Sequence, residues 1–231
     1  MGDPASLARA EFILEQMGAL GTVAMAAGGR DLVGGVPLLK QAGVKSGVKV
    51  LSANMRGPDG AAIFPASTVA KVGGLSIGLV GLSPPGPVTT TLGVQCLDPV
   101  KAALDEAAAL RPRVDVVVVL AGIEYAQAME LAKAAPGTVD FVLQSWDRRN
   151  DREARKVGSA WLVAGIDQGK ALARLELTVS GKGPFADASK GKVAGPRSFR
   201  LSFTDLGADV ASDPGLQGLV EKIEPRPATA P

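Results

Sequence analysis

Runs of apolar residues alternate with amphipathic stretches along most of the chain. Residues 5–20 place apolar side chains near helical spacing and are followed by Gly21, which predicts a helix that stops there. Several short, valine-rich apolar runs come next, and such runs are typical of strands buried on both faces of a sheet. They are Thr22–Ala27, Val48–Ala53, Leu75–Leu82, Val114–Leu120 and Phe141–Leu143.

Helices are predicted between these strands. Asp98 and Pro99 suit the N-cap and the first position of a helix that continues through Val100–Leu110. A second helix is predicted over residues 125–134, and a short one over residues 213–223.

The later part of the chain reads mainly as strands. Strands are predicted at Ala160–Ala164, Ala171–Ser180 and Ser198–Phe203, and a Gly/Lys/Pro-rich loop is predicted over residues 181–196. In residues 171–180 apolar and polar side chains alternate, which indicates a strand with one exposed face. Together these patterns predict an α/β core with an antiparallel part.

Composition and charge exclude several classes of function. The chain of 231 residues has a net charge of +2 with its basic residues spread along the sequence, so we expect no nucleic-acid surface. No apolar run approaches the roughly 18 residues of a membrane span, and the N-terminal residues lack the apolar region of a signal peptide. The sequence has no histidine and one cysteine, which excludes imidazole ligands, an imidazole base and intrachain disulfides. We predict no cofactor.

Several short segments then carry a resemblance through their order. They are Leu51-Ser52-Ala53-Asn54, Val72-Gly73-Gly74 before the run IGLVGL, Asp98-Pro99, Val139–Leu143 and Gly169-Lys170. In this order they resemble the 5'-nucleotidase type of calcineurin-like metallophosphoesterase over residues 5–180. The resemblance implies a two-sheet α/β sandwich flanked by helices, here without its first strand or strands. It suggests a domain over residues 1–181, a loop and closing strand over 182–212, and a short helix with a Pro-rich tail or linker over 213–231.

The resemblance also implies positions for metal ligands, and most of these positions have lost them. The corresponding residues are Gly29, Arg30, Asp31, Gly122, Trp146 and Arg148. Enzymes of this type hold two ions that activate water and neutralise phosphate, which needs Asp, Asn and His side chains. Only Asp31 could be a ligand, so we predict no metal site and no catalytic residue.

Two interpretations of the function follow from this loss. The leading one is a non-catalytic pseudoenzyme that serves as a binding or assembly module, with a protein or another part of a longer chain as its partner. The alternative is a phosphoesterase or nucleotidase completed by a further N-terminal segment or by a partner chain. A periplasmic or extracellular location is implied by the resemblance only.

Two pairs of residues are candidates for binding. Arg30 and Arg148 could converge on an anion near the former metal positions, because guanidinium groups bind oxyanions in bidentate fashion. Trp146 and Arg149 could contact a protein partner, since Trp and Arg are favoured at binding hot spots. In the alternative view these side chains belong to a solvated turn and a solvated loop of mixed charge.

Overall fold

The computed structural model describes residues 4–145, 151–165, 169–189 and 195–224. Its helices are α1 (Pro4–Ala19), α2 (Val36–Ser46), α3 (Pro87–Thr91), α4 (Pro99–Leu110), α5 (Tyr125–Ala134) and α6 (Pro214–Ile223). Its strands are β1 (Ala24–Ala26), β2 (Lys49–Leu51), β3 (Met55–Arg56), β4 (Ser67–Val72), β5 (Leu75–Leu82), β6 (Gln95–Cys96), β7 (Val116–Ala121), β8 (Phe141–Gln144), β9 (Arg155–Val157), β10 (Ala160–Ala164), β11 (Ala171–Val179), β12 (Ala186–Asp187) and β13 (Arg197–Asp205). This order confirms the predicted α/β class.

The largest sheet contains six strands in the order β4-β5-β7-β8-β10-β9. Strands β5, β7, β8 and β10 are parallel, whereas β4 and β9 pair antiparallel at the two edges. Helices α4 and α5 cover one face, where Val117 and Val119 are buried. The opposite face carries Val116 and Val118 and is also covered. Burial of both faces explains why these strands are almost wholly apolar.

A second sheet, in the order β11-β13-β12, covers that opposite face. Aromatic rings hold the two sheets together: Phe199 of β13 lies 5.3 Å from Phe141 and 4.8 Å from Trp161, measured between ring centroids. The indole nitrogen of Trp161 donates to the main-chain oxygen of Phe185 at 2.9 Å. The predicted two-sheet sandwich flanked by helices is therefore confirmed, as is the half-exposed character of β11.

A smaller unit precedes the sandwich. Strands β1 and β2 form a parallel pair, and α1 and α2 pack beside it around the buried residues Leu14, Leu32 and Leu39. Among the described strands β1 pairs only with β2, so its other edge is open. The lack of a first strand stays a prediction.

Several elements were not predicted from the sequence, among them α2, α3, β9 and β12. Helix α2 was not predicted, because its sequence VPLLKQAGVKS is weakly apolar and contains Gly43; it ends at Gly47 in the left-handed conformation. Strand β12 lies in the predicted loop, where Ala186 and Asp187 pair with β13.

The domain boundaries at residues 181 and 212 stay predictions. None of the described helices is long and apolar enough to cross a membrane.

Candidate functional site

The carboxyl ends of β1, β2, β5, β7 and β8 contain the positions that the resemblance assigns to chemistry. In open α/β sheets this edge is where ligands bind. Neighbouring chain segments are joined there by main-chain hydrogen bonds, from the Gly122 amide to the Leu82 oxygen at 3.1 Å and from the Ser145 amide to the Ala121 oxygen at 3.2 Å. Of the described positions that the resemblance assigns to metal ligands, Gly122 therefore lies at this edge of the six-stranded sheet, whereas Gly29, Arg30 and Asp31 follow β1 of the separate two-stranded sheet.

A buried polar network follows β2 and β5. The Asn54 side chain donates to the main-chain oxygens of Ser83 (2.9 Å) and Leu97 (3.2 Å), and its oxygen accepts the Ser83 amide at 2.9 Å. The Ser83 hydroxyl donates to the Ser52 hydroxyl at 2.8 Å, and Ser52 in turn accepts the Met55 amide. Ser52, Asn54 and Ser83 are fully buried. Because their hydrogen bonds are satisfied within the fold, these residues join the two strand ends and are not poised as nucleophiles.

The turn after β1 places Asp31 in a local structural role. One carboxylate oxygen of Asp31 accepts the Gly28 amide at 2.7 Å. Burial raises the pKa of the Asp31 carboxyl above its ordinary value, while the hydrogen bond from Gly28 acts in the opposite direction. Arg30 is exposed and, with Asp31 and Arg9, lines a cavity of about 280 Å³ beside α1. Asp31 therefore behaves as a turn residue.

The position that follows β7 has little room for a side chain. A Cβ atom at Gly122 would lie 2.9 Å from the main-chain oxygen of Leu82, closer than carbon and oxygen normally approach. Any larger residue, a histidine included, would require β5 or β7 to shift. Glycine here is therefore part of the packing of the sheet edge.

Gln144, the last residue of β8, is a feature that the sequence interpretation missed. Its side chain is buried and donates to the main-chain oxygen of Ile123 at 3.0 Å. Its own amide oxygen is also buried and has no hydrogen-bond partner among the described residues. The only signal in the sequence is one amide at the end of the apolar run Phe141–Leu143. Gln144 joins the ends of β7 and β8, close to the position of Gly122.

These residues do not fit a two-metal centre. No group of three or more Cys, Asp or Glu residues that could hold an ion occurs in the described parts of the chain. Asp31 is the one potential donor among the described metal positions, and it is bonded within its own turn. Trp146, Arg148 and Arg149 lie outside the described residues, so the convergence of Arg30 with Arg148 and the contact surface of Trp146 and Arg149 stay predictions.

Comparison with known proteins gives a result at the level of structure only. No protein-family model matches the sequence, and no curated protein matches it. The solved structure of sulfate thiohydrolase SoxB from Thermus thermophilus matches with a TM-score of 0.72 at 19% identity, over 94% of this chain and 39% of that one. A 5'-nucleotidase precursor from the same species matches with a TM-score of 0.62 at 22% identity, over 85% of this chain and 42% of that one.

A shorter protein matches over more of its own length. The calcineurin-like phosphoesterase YfkN from Bacillus subtilis has a TM-score of 0.70 at 18% identity, over 91% of this chain and 72% of that one. The chain thus spans less than half of SoxB and of the 5'-nucleotidase precursor. At these identities the likeness is one of fold. The chain has the fold of the calcineurin-like phosphoesterases and 5'-nucleotidases, which confirms the resemblance at that level.

Proposed function

We propose that the chain is a non-catalytic pseudoenzyme of the 5'-nucleotidase-like metallophosphoesterase family and acts as a binding or assembly module. One observation carries this proposal. Among the described positions that correspond to metal ligands, only Asp31 has a side chain that could coordinate a metal ion, and its carboxylate accepts a hydrogen bond from the Gly28 amide in the same turn.

The other described positions support the same interpretation. Two-metal hydrolysis needs ligands that hold two ions a few ångström apart, so that one activates water and both neutralise the phosphate. Gly122 offers no donor and lies against the Leu82 main chain. Arg30 would place a positive charge where a cation must bind. A scaffold that keeps its core while losing its ligands is suited to binding and not to hydrolysis.

A second candidate is a phosphoesterase or nucleotidase that another segment or a partner chain completes. The open edge of β1 favours it, since an unpaired strand edge can accept a further strand and any ligands that strand carries. The length also favours it, because the chain covers only 39% of SoxB and 42% of the 5'-nucleotidase precursor.

Binding surfaces and location belong to the same proposal. Arg30 and Arg148 would bind an oxyanion, and Trp146 and Arg149 would contact a protein partner or another part of a longer chain. Sulfate or phosphate should then raise the melting temperature, and the combined Arg30→Ala and Arg148→Ala variant should lose that gain. An unchanged set of captured partners after joint replacement of Trp146 and Arg149 would count against the contact surface. A periplasmic or extracellular location rests on the resemblance alone.

Metal content decides between the two candidate functions. The purified chain is equilibrated with Mn²⁺ and Zn²⁺, freed of loosely bound ions and analysed by elemental mass spectrometry, beside its Asp31→Asn variant. The proposal expects near-zero stoichiometry in both proteins, together with no hydrolysis of p-nitrophenyl phosphate. About two ions per chain, lost on replacement of Asp31, would overturn it and make the enzyme the leading candidate.

A further inference from the structure

Two arginines and one aspartate form a cluster at the amino ends of β7 and β8, on the edge of the sheet opposite the former metal positions. Asp140 accepts from the Arg111 guanidinium at 2.6 Å, from the Arg197 guanidinium at 3.1 Å and from the Val117 amide at 2.8 Å. The side chains of Asp140 and Arg197 are each 11% exposed and that of Arg111 is 22% exposed. The cluster therefore has little access to water.

In the described part of the chain, the two arginines of this cluster are paired with one carboxylate only. Two guanidinium groups share the single carboxylate of Asp140. Among the described residues Asp115 is the other acid nearby, but its carboxylate accepts the Ser76 amide at 2.7 Å, while its main-chain oxygen accepts from both arginines. Asp115 and Asp140 match the two guanidinium charges in number, but among the described residues only Asp140 forms an ion pair with them.

The guanidinium of Arg197 is held in a fixed orientation. Its Nε atom is buried and has no hydrogen-bond partner among the described residues. Its guanidinium carbon lies 4.3 Å from the ring centroid of Phe185, which fixes the plane of the group by a cation–π contact. A guanidinium whose plane is fixed is suited to the recognition of an oxyanion.

A cavity of about 690 Å³ adjoins the cluster and contains both kinds of surface that a small organic anion needs. Arg111 and Arg197 line it, and Lys182 adds a third cation from the segment that connects β11 and β12. Of the valines in the lining, Val179 is half-buried and provides apolar surface, whereas Val114 and Val139 are buried. Asp115 and Asp140 are the two acids of the described lining, which therefore has three cations and two anions.

We propose that this cavity binds a small organic oxyanion, with a carboxylate or phosphate group against the cationic side chains and a compact apolar body against Val179. The proposal goes beyond the pseudoenzyme function and does not depend on it, because the former metal positions that the structure describes do not line this cavity. A bound oxyanion would offset the charge of Lys182, by which the three cations of the described lining exceed its two acids.

Phenyl phosphate and inorganic phosphate are the probes, titrated by calorimetry and by thermal shift at constant ionic strength in the presence of EDTA. Phenyl phosphate should bind saturably and more tightly than phosphate, because only the former covers Val179. Lys182→Glu should weaken its affinity at least about tenfold by reversing an exposed charge in the cavity wall. Lys222→Glu, on α6 and outside this cavity, is the matched control and should bind as the unmodified chain does.

Two results would overturn the proposal. The first is the absence of saturable binding, or a thermal gain that sodium chloride reproduces at equal ionic strength. The second is binding that Lys182→Glu leaves intact, above all if Arg30→Ala abolishes it, because the anion would then lie at the carboxyl edge of the sheet. Neither result depends on metal content, so failure here is separable from failure of the proposed function.

Discussion

Replacing Asp140 by asparagine would test whether one carboxylate holds the charged cluster together. Asparagine keeps the size of the side chain and an oxygen that can still accept the Val117 amide. It removes the negative charge that pairs with Arg111 and Arg197, so two largely buried guanidinium groups would lose their carboxylate partner.

The magnitude follows from the contacts that are lost. Each hydrogen bond to a charged group contributes about 1.5 to 3 kcal/mol, and Asp140 accepts two of them from arginines. Breaking a buried ion pair by removal of one partner costs about 3 to 5 kcal/mol. We therefore expect Asp140→Asn to lower the free energy of unfolding by about 3 to 5 kcal/mol.

Urea denaturation followed by tryptophan fluorescence is the assay, because Trp161 packs between the two sheets. Urea leaves ion pairs unscreened, whereas guanidinium chloride is itself a salt. With a slope of about 2 to 3 kcal/mol per molar urea, the midpoint should fall by at least about 1 M.

Asp105→Asn removes an exposed carboxylate that pairs with Lys101 one helical turn away, and it should leave the midpoint unchanged. Combining Asp140→Asn with Arg197→Met should cost less than the sum of the two single changes, because the second removes one of the unpaired cations. A midpoint for Asp140→Asn equal to that of the Asp105→Asn control would refute the reasoning.

Three further changes test other parts of the fold. The folded state holds the Asp31 proton more tightly than the unfolded chain does, because burial raises the pKa of this carboxyl. The stability that protonated Asp31 contributes is therefore fully present below its ordinary pKa, and it is lost as pH rises through the raised pKa of the folded state. Asp31→Asn should therefore be the more stable form at pH 7 and lose that advantage near pH 3, as thermal melts across pH would show. Gly81→Ala would place a Cβ 2.5 Å from that of Leu51, and it should destabilise the fold by about 3 kcal/mol in urea melts. Asn54→Ala should cost a similar amount, about 3 kcal/mol, because it leaves the buried amide and oxygen of Ser83 without their partner; a loss below about 1 kcal/mol would contradict the network.

Local patterns were sufficient for much of the fold. The strands β5, β7 and β10 and the helices α4 and α5 follow from apolar runs and from the Asp98 cap, whose carboxylate accepts the Val100 and Lys101 amides. Helix α2 was not predicted because tertiary packing, and not its local sequence, stabilises it. Gly43 lets the helix approach β2 so closely that a Cβ there would lie 3.0 Å from the Val50 side chain. Glycine weakens a helix locally, so the sequence alone argued against it.

The candidate site likewise has features that the sequence predicts and features that depend on contacts between distant residues. The absence of ligands at Gly29, Arg30 and Gly122 is visible in the sequence, because it depends only on residue type. The contact of Gly122 with the Leu82 main chain and the bond from Gln144 to Ile123 are not visible, because they join separate strands. The same holds for the charged cluster, whose members come from three separate elements.

The aromatic cluster between the sheets has a consequence for biosynthesis. Phe141 and Trp161 belong to the six-stranded sheet, but the ring that packs against both is Phe199, near the end of the described chain. At roughly 5 to 20 residues per second, translation from Trp161 to Phe199 takes about 2 to 8 s. Until Phe199 is made, the apolar face of the nascent sheet is incompletely covered, and such surface is the kind that chaperones bind. A ribosome-bound chain that has not yet reached Phe199 therefore exposes apolar surface that the finished fold buries.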